Sequence, residues 1–515
     1  MRHLSLPVLT AFTLLAASAS AAKQPNIVWI FSDAHARQAV SAYSGDLIDT
    51  PNIDRLAREG MLFQRCLVPN PICGPSRASV LTGKYSHGNG LYRNGSGDFD
   101  GTQWTFPQAL QGAGYQTALI GKWHLGEATA PTGFDYSNVL IGQGPYYNPK
   151  MLTDADGDGT REEVQHHGYT TDLLTDMAID WIGGRKDAEK PFMLMMQHKA
   201  PHRPWMPAPR HFDALENVTI PEPPTLFANY DGMPRAARLA DMTIAHTMTA
   251  RDLKLEAMPG LDDEQRAVWD AAYGPRNAAF RAAKLTGDDL TRWKYQRYIK
   301  DYLRCVMAVD ESVGRVLDYL EANGLAENTM VVYASDQGFY LGENGWFDKR
   351  WIYDVSMRTP FLVRWPGHIA PGSECRDLVS VIDVAPTLCE VAGAPIPAGT
   401  HGRSMVPLME GTTPEDWRKS FYFHYYEYPG WHAVRKHYGV VEDRYKLVHF
   451  YEEDMREWQL VDTVADPLEQ KNFHDDPAYA EIAAGLHAEL DRLRAELAIP
   501  EVDPPETYPE GDPYR

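Results

Sequence analysis

Four short apolar runs, each closing on polar residues, restrict this chain to few architectures. Residues 26–31 (Asn-Ile-Val-Trp-Ile-Phe) end at Ser32-Asp33, and residues 116–120 end at Gly121-Lys122. Residues 192–196 end at Gln197-His198, and residues 330–333 lead to Ser335-Asp336. Continuous apolar runs of this length read as strands buried on both faces, the habit of parallel sheets. Between them, residues 52–58, 171–182 and 300–322 carry helical patterning. Alternating strands and helices predict an α/β fold, a mostly parallel mixed sheet with helices on both faces. Ligands of such sheets bind beyond the carboxyl ends of the strands, so the four polar closings mark the expected site.

The rest of the chain reads differently. Residues 198–234 are rich in Pro and Met without regular pattern, and are expected to wall a cleft. A short helix is expected over residues 383–392. Beyond it, Tyr-rich alternation over residues 420–426, 437–441 and 445–450 precedes an amphipathic pattern over 478–497. This predicts a smaller C-terminal α+β subdomain, residues 400–515, with an antiparallel sheet and a helix. A large domain over residues 22–399 precedes it, and the acidic, Pro-rich end from residue 503 is expected to be loose.

Met1-Arg2-His3, the apolar residues 4–17 and Ala19-Ser20-Ala21-Ala22 read as a secretory signal peptide over residues 1–21. The apolar run is too short to span a bilayer, and no later stretch qualifies as a transmembrane segment. An exported protein is expected, periplasmic in a Gram-negative host or extracellular. The formal charge of −21 argues against nucleic acid as a partner. Any anionic ligand therefore requires a basic cleft inside an acidic shell. The five cysteines, at 66, 73, 305, 375 and 389, are an odd number for an oxidising compartment. One is expected to be special, and the other four leave up to two disulfides open.

Cys73 is the special one. It opens Cys73-Gly74-Pro75-Ser76-Arg77, followed by Leu81-Thr82-Gly83-Lys84, at a loop-to-helix turn with Pro75 suited to the first helical position and two cations close by. Alone, such a cysteine is as readily a small buried hydrophobe. In combination with the strand ends, the pattern resembles the signature of the type I, formylglycine-dependent sulfatases, over nearly the whole chain from residue 25. That resemblance implies an alkaline-phosphatase-like fold and hydrolysis of sulfate esters. It also implies that Cys73 is oxidised to formylglycine by a formylglycine-generating or sulfatase-maturing enzyme, and that one Ca²⁺ is bound.

Carried over residue by residue, the resemblance implies that Asp33, Asp336 and Gln337 bind the metal together with the modified Cys73. These are the hard oxygen donors Ca²⁺ prefers. Lys122 and His124, in Gly121-Lys122-Trp123-His124, would contact the sulfate and assist turnover; an extended segment would place both on one face. His202, in Ala200-Pro201-His202-Arg203-Pro204-Trp205, would protonate the leaving oxygen. Lys349, within residues 341–350, and Arg77 would spread the charge. The general look of residues 118–126, 146–149 and 200–205 is similar to glycan sulfatases, including those acting on 6-sulfated N-acetylglucosamine. The implied substrate is a sulfated oligo- or polysaccharide, with Asn344, His432 and Arg435 as candidate sugar contacts.

Two positions depart from the family pattern. Ala34 stands where many members carry a second calcium-ligating Asp, and Asn344 where relatives usually have His. These departures keep a weakly active or inactive, glycan-binding homologue as an alternative. A phosphonate or phosphate monoester hydrolase on the same fold is another. Asp154-Ala155-Asp156-Gly157-Asp158-Gly159 matches the first half of an EF-hand loop, but Gln165 replaces the closing Glu, and an acidic turn is an equal reading.

Overall fold

The computed structural model describes residues 24–95, 99–126 and 128–505. The expected signal peptide and most of the acidic tail lie outside the described residues. Each of the four apolar runs is a buried strand: β1 (Asn26–Ser32), β2 (Gln116–Lys122), β3 (Phe192–Gln197) and β4 (Thr329–Ser335), with Gln116 alone half-buried. They lie side by side in the order β4-β1-β3-β2, all parallel, so the four polar closings emerge at one edge. Ile30 stands opposite Met196 and Tyr333, which fixes the register at that edge. Antiparallel and parallel partners extend the sheet to ten strands, from Ser373–Cys375 at one margin to Glu162–Gln165 at the other.

Alternation along β1 divides the core. Val28 and Ile30 face one layer, where α1 (Pro51–Glu59), α3 (Thr170–Gly183) and α4 (Gly287–Ala322) bury Ile53, Leu56, Leu174, Ile182 and Leu303. Ile27, Trp29 and Phe31 face the other, where α2 (Cys73–Thr82) and α5 (Val384–Ala392) bury Val80, Leu81 and Leu388. Burying both faces is what a run without polar alternation requires. Helix α4 starts well before the expected residue 300, because its first turns are polar and half-exposed. Pro75 is the third residue of α2 rather than the first; its missing N–H costs nothing there, since first-turn donors have no partner inside the helix.

The smaller C-terminal part is an antiparallel sheet of β5 (Phe421–Tyr425), β6 (His437–Val441), β7 (Tyr445–Phe450) and β8 (Glu457–Asp462), covered by α6 (Ala480–Glu496). Strand β8 is a fourth strand not foreseen in the sequence. Leu486, Leu490 and Leu493 of α6 pack on this sheet, and Trp346 and Trp351 join the same core. The acidic segment at 154–158 is the turn of a hairpin between strands Lys150–Asp154 and Glu162–Gln165, with Asp154 accepting from the Gly157 and Gly159 amides. All five cysteines are buried free thiols. Among the described residues no helix is long and apolar enough to cross a membrane.

Candidate active site

Asp33, Lys122 and Asp336 sit where β1, β2 and β4 end, and all are buried. Cys73 begins α2, which runs away beneath them. Its thiol lies 3.4 Å from Asp33 Oδ1 and 3.4 Å from the Lys349 ammonium. His202 Nε2 lies 4.0 Å from the same Asp33 oxygen, and Lys349 Nζ lies 3.8 Å from it. Five segments far apart in sequence thus meet within one ring of side chains. Cys73, His202 and Lys349 open onto a cavity of about 780 Å³ that also touches Lys199, Arg203, Asp348, Arg350 and His432.

Beneath this ring both terminal nitrogens of Arg77 are bonded within the protein. The guanidinium donates to Asp33 Oδ2 at 3.2 Å, to Asp336 Oδ2 at 3.0 Å, to the Lys122 carbonyl and to Gln197. Arg77 therefore holds the two carboxylates in place rather than facing the cavity. Lys122 donates to Asp33 and to the Gln143 carboxamide oxygen. Burial opposes ionisation of Asp33, but Lys122, His202, Lys349 and Arg77 outweigh it and hold this carboxyl well below the usual range. Asp336 is pushed up by burial and by Asp33 beside it.

That arrangement fits a cation. The carboxamide of Gln337 is buried, and neither its oxygen nor its nitrogen has a partner among the described residues. Leaving a buried amide unpaired costs free energy, and an ion bound by the adjacent carboxylates would satisfy the oxygen. Ala34 occupies a left-handed conformation, φ 60°, with its amide donating to Asp336 Oδ1 at 2.9 Å.

The two histidines have assignable tautomers. His202 Nδ1 lies 2.8 Å from the Arg203 carbonyl, which only accepts, so Nδ1 carries the hydrogen and Nε2 presents a lone pair to the ring. Gln143 turns its oxygen to the Lys122 ammonium, so its nitrogen faces His124 Nε2 at 2.9 Å and donates to it. Lys122 and His124 are therefore linked through Gln143, not by alternation along an extended segment; His124 has φ 54° and turns the chain. Burial, with Lys122 adding to it, depresses His124, and burial does the same to His202 against the pull of Asp33. Burial pushes the Cys73 thiol up to about 11, with Asp33 contributing, so the unmodified residue is a neutral thiol and a poor nucleophile.

Three expected sugar contacts fare differently. His432 lines the cavity, with Nδ1 on the Asp241 carbonyl and Nε2 3.4 Å from Asp348. Asn344 does not line it: its side chain accepts from Gln470 Nε2, its carbonyl accepts from Tyr230, and its φ of 58° is a backbone conformation Asn tolerates well. Arg435 also lies apart, paired with Asp454 and Glu452 and stacked over Tyr428. His198, next to the site in sequence, is a core residue bonded to Ser312.

Lys199, Gln143, Arg203 and Asp348 also line the cavity, and nothing in the sequence assigned a separate role to any of them. Lys199 lies on the cavity wall 5.4 Å from the Tyr146 ring, and burial with Lys122 nearby lowers it to about 7. Arg203 forks onto Asp252 with bonds of 2.6 and 2.5 Å. The irregular 198–234 segment carried a cleft signal, but nothing in its composition singled out Lys199.

Residues 25–394 match the sulfatase family profile, and residues 342–496 match the C-terminal domain of N-sulphoglucosamine sulphohydrolase. The chain belongs to the sulfatase family. Sulfatases are hydrolases of sulfuric esters. The N-acetylglucosamine-6-O-sulfatase of Bacteroides thetaiotaomicron is 45% identical over 94% of this chain and 89% of its own length. A solved sulfatase structure, bound to its substrate D-glucosamine-2-N,6-O-disulfate, superposes with a TM-score of 0.88 at 43% identity, over 96% of this chain and 99% of that one. The phosphonate monoester hydrolase of Silicibacter pomeroyi shares the fold at 22% identity, with a TM-score of 0.67 over 92% of this chain and 96% of its own.

Proposed function

We propose that this sulfatase removes the 6-O-sulfate from N-acetylglucosamine or N-sulfoglucosamine units of a sulfated glycan outside the cytoplasm. The observation that carries the reading is the meeting of Cys73, Lys349, His202 and Asp33 at the floor of a sugar-sized cavity. The named relatives supply the sugar, and the leader-like residues 1–21 supply the compartment.

Converted to formylglycine, residue 73 would supply a hydrated aldehyde hydroxyl as the nucleophile toward sulfur. A Ca²⁺ held by Asp33, Asp336 and Gln337 would supply positive charge for the sulfate oxygens. The remaining chemistry belongs to side chains described above. Lys349, against residue 73, neutralises charge on the sulfate and on the departing oxygen. His202 holds its Nδ1 hydrogen on the Arg203 carbonyl, so a second proton can reside only on Nε2, which faces the ring. Entry of an anion beside it raises its proton affinity, and Nε2–H then donates to the sugar oxygen as the ester bond breaks. His124, kept neutral by burial and by Lys122, accepts a proton during turnover. Arg77 and Lys122 keep Asp33 ionised and fixed throughout.

Co-expression with a formylglycine-generating enzyme, mass spectrometry of the peptide containing residue 73, and sulfate-release assays test the reading. Release from 6-sulfated N-acetylglucosamine, well above that from 6-sulfated N-acetylgalactosamine, is expected. Faster turnover of nitrophenyl phosphonate than of any sulfate ester would assign the site to the other reaction. Confirmed conversion with glycan binding but no release would make it a binding protein.

A further inference from the structure

Outside the residues that line the cavity, His474 and His487 bring their Nε2 atoms to 3.3 Å of each other. His474 lies in the loop after β8, and His487 lies on α6. Their rings stand 78° apart in plane, and Trp458 of β8 supports both: His474 nearly parallel at 6.1 Å, His487 edge-on at 4.4 Å. His449 of β7 stacks on the same indole at 4.0 Å, so the aromatic support is itself braced. Both histidines are partly exposed and reachable from solvent.

The protonation pattern is informative. His474 Nδ1 lies 2.9 Å from Asp475 Oδ1. An ionised carboxylate only accepts, so Nδ1 carries the hydrogen and Nε2 offers its lone pair toward His487. Burial, reinforced by His474, depresses His487 and keeps its ring neutral. Asp491 follows His487 by one helical turn, on the same face, and acts on it electrostatically.

Two imidazoles bound to one tetrahedral zinc ion at about 2.0–2.1 Å hold their nitrogens about 3.3 Å apart. The same separation lets His487 Nε2–H donate to the His474 Nε2 lone pair while no ion is bound. A carboxylate on the far nitrogen of a ligand histidine is also the usual outer partner of zinc ligands. We propose that His474 and His487 form a two-histidine binding site for a Zn²⁺-class divalent cation, oriented by Asp475 and with Asp491 adding negative charge nearby, that ties α6 to the antiparallel sheet. Solvent completes the coordination. The site is independent of the hydrolytic reaction, and its nitrogen donors discriminate against Ca²⁺.

Calorimetric titration of Zn²⁺ into the full-length protein, already saturated with Ca²⁺, tests this, with thermal melting read in parallel. Wild type is expected to bind Zn²⁺ and melt at higher temperature with it. His474→Ala and His487→Ala are expected to weaken binding at least about tenfold and abolish the melting shift, and Asp475→Asn to weaken it about 10–100-fold. His474 is in a loop, so its variant stays informative even where His487→Ala disturbs α6. Zn²⁺ bound only at Asp33, Cys73 and His202, whose ligand atoms also lie within 4.8 Å of one another, would give superimposable isotherms for wild type and His474→Ala. That result, or a wild type without Zn²⁺-dependent heat or melting shift, overturns the proposal.

Discussion

Gln143 joins Lys122 to His124: its carboxamide oxygen accepts from the ammonium, and its nitrogen donates to His124 Nε2. One amide therefore fixes both the direction of a cation and the tautomer of a base. Gln143→Leu is expected to lower kcat about 10²-fold with a much smaller change in KM. Gln143→Glu keeps the contact to Lys122 but places a carboxylate beside the ring. It should raise the proton affinity of His124 and shift the acidic limb of the kcat profile to higher pH. Steady-state kinetics from pH 5 to 9 would show both effects, and an unshifted limb would remove His124 from proton transfer.

His202→Ala separates leaving groups. On a 6-sulfated sugar, whose alkoxide needs a proton, kcat is expected to fall about 10²–10⁴-fold. On nitrophenyl sulfate, which leaves as a stabilised phenolate, the loss should be tenfold or less, about the size of a binding defect. Equal losses on both substrates would mean His202 positions the sulfate rather than donating a proton.

Ala34→Asp should tighten Ca²⁺ binding. The residue already has φ 60° and touches Asp336 through its amide, and Asp tolerates this left-handed region better than Ala. A second carboxylate adds an oxygen and a charge beside the unpaired Gln337 amide. Titration of Ca²⁺ into the metal-free protein measures this, and an unchanged affinity would show that the side chain does not reach the ion.

Acid should destabilise the fold through buried histidines. Burial lowers His198 and His437 to about 4, against about 6.5 in the unfolded chain. As pH falls from 6.5 toward 4, the unfolded state takes up these protons first, so stability drops through that window and levels off below it. Each ring accounts for up to about 3 kcal/mol of this loss. Chemical unfolding at pH 7 and pH 4.5 would detect the slope, and His198→Gln should flatten it.

Those parts of the fold governed by continuous burial were legible in the sequence. Strands β1 to β4 must be apolar throughout because helices cover both faces, and their polar ends stand out for that reason. Asp33 and Asp336 stood out in this way, whereas Cys73 and Lys349 were legible through the resemblance to the sulfatase signature. Gln143 and Lys199 were not legible, because they act from irregular segments whose composition resembles any surface loop. Asn344 and Arg435, expected to touch sugar, lie outside the cavity lining for a related reason. A residue type shows what a side chain can do, whereas the turn at φ 58° and the acids Asp454 and Glu452 decided where those two point.

Strand β1 waits through a long stretch of synthesis for its partners. It is complete at residue 32, yet its neighbours begin only at residues 192 and 329. Until β4 has emerged, the central sheet has no closed middle, and long-range pairing of this kind folds slowly. The same delay leaves α2 without the strand ends that later seal Cys73 to 1% exposure. Were this thiol converted as proposed above, that interval is when a modifying enzyme would reach it, and the order in which the chain is made would set the window.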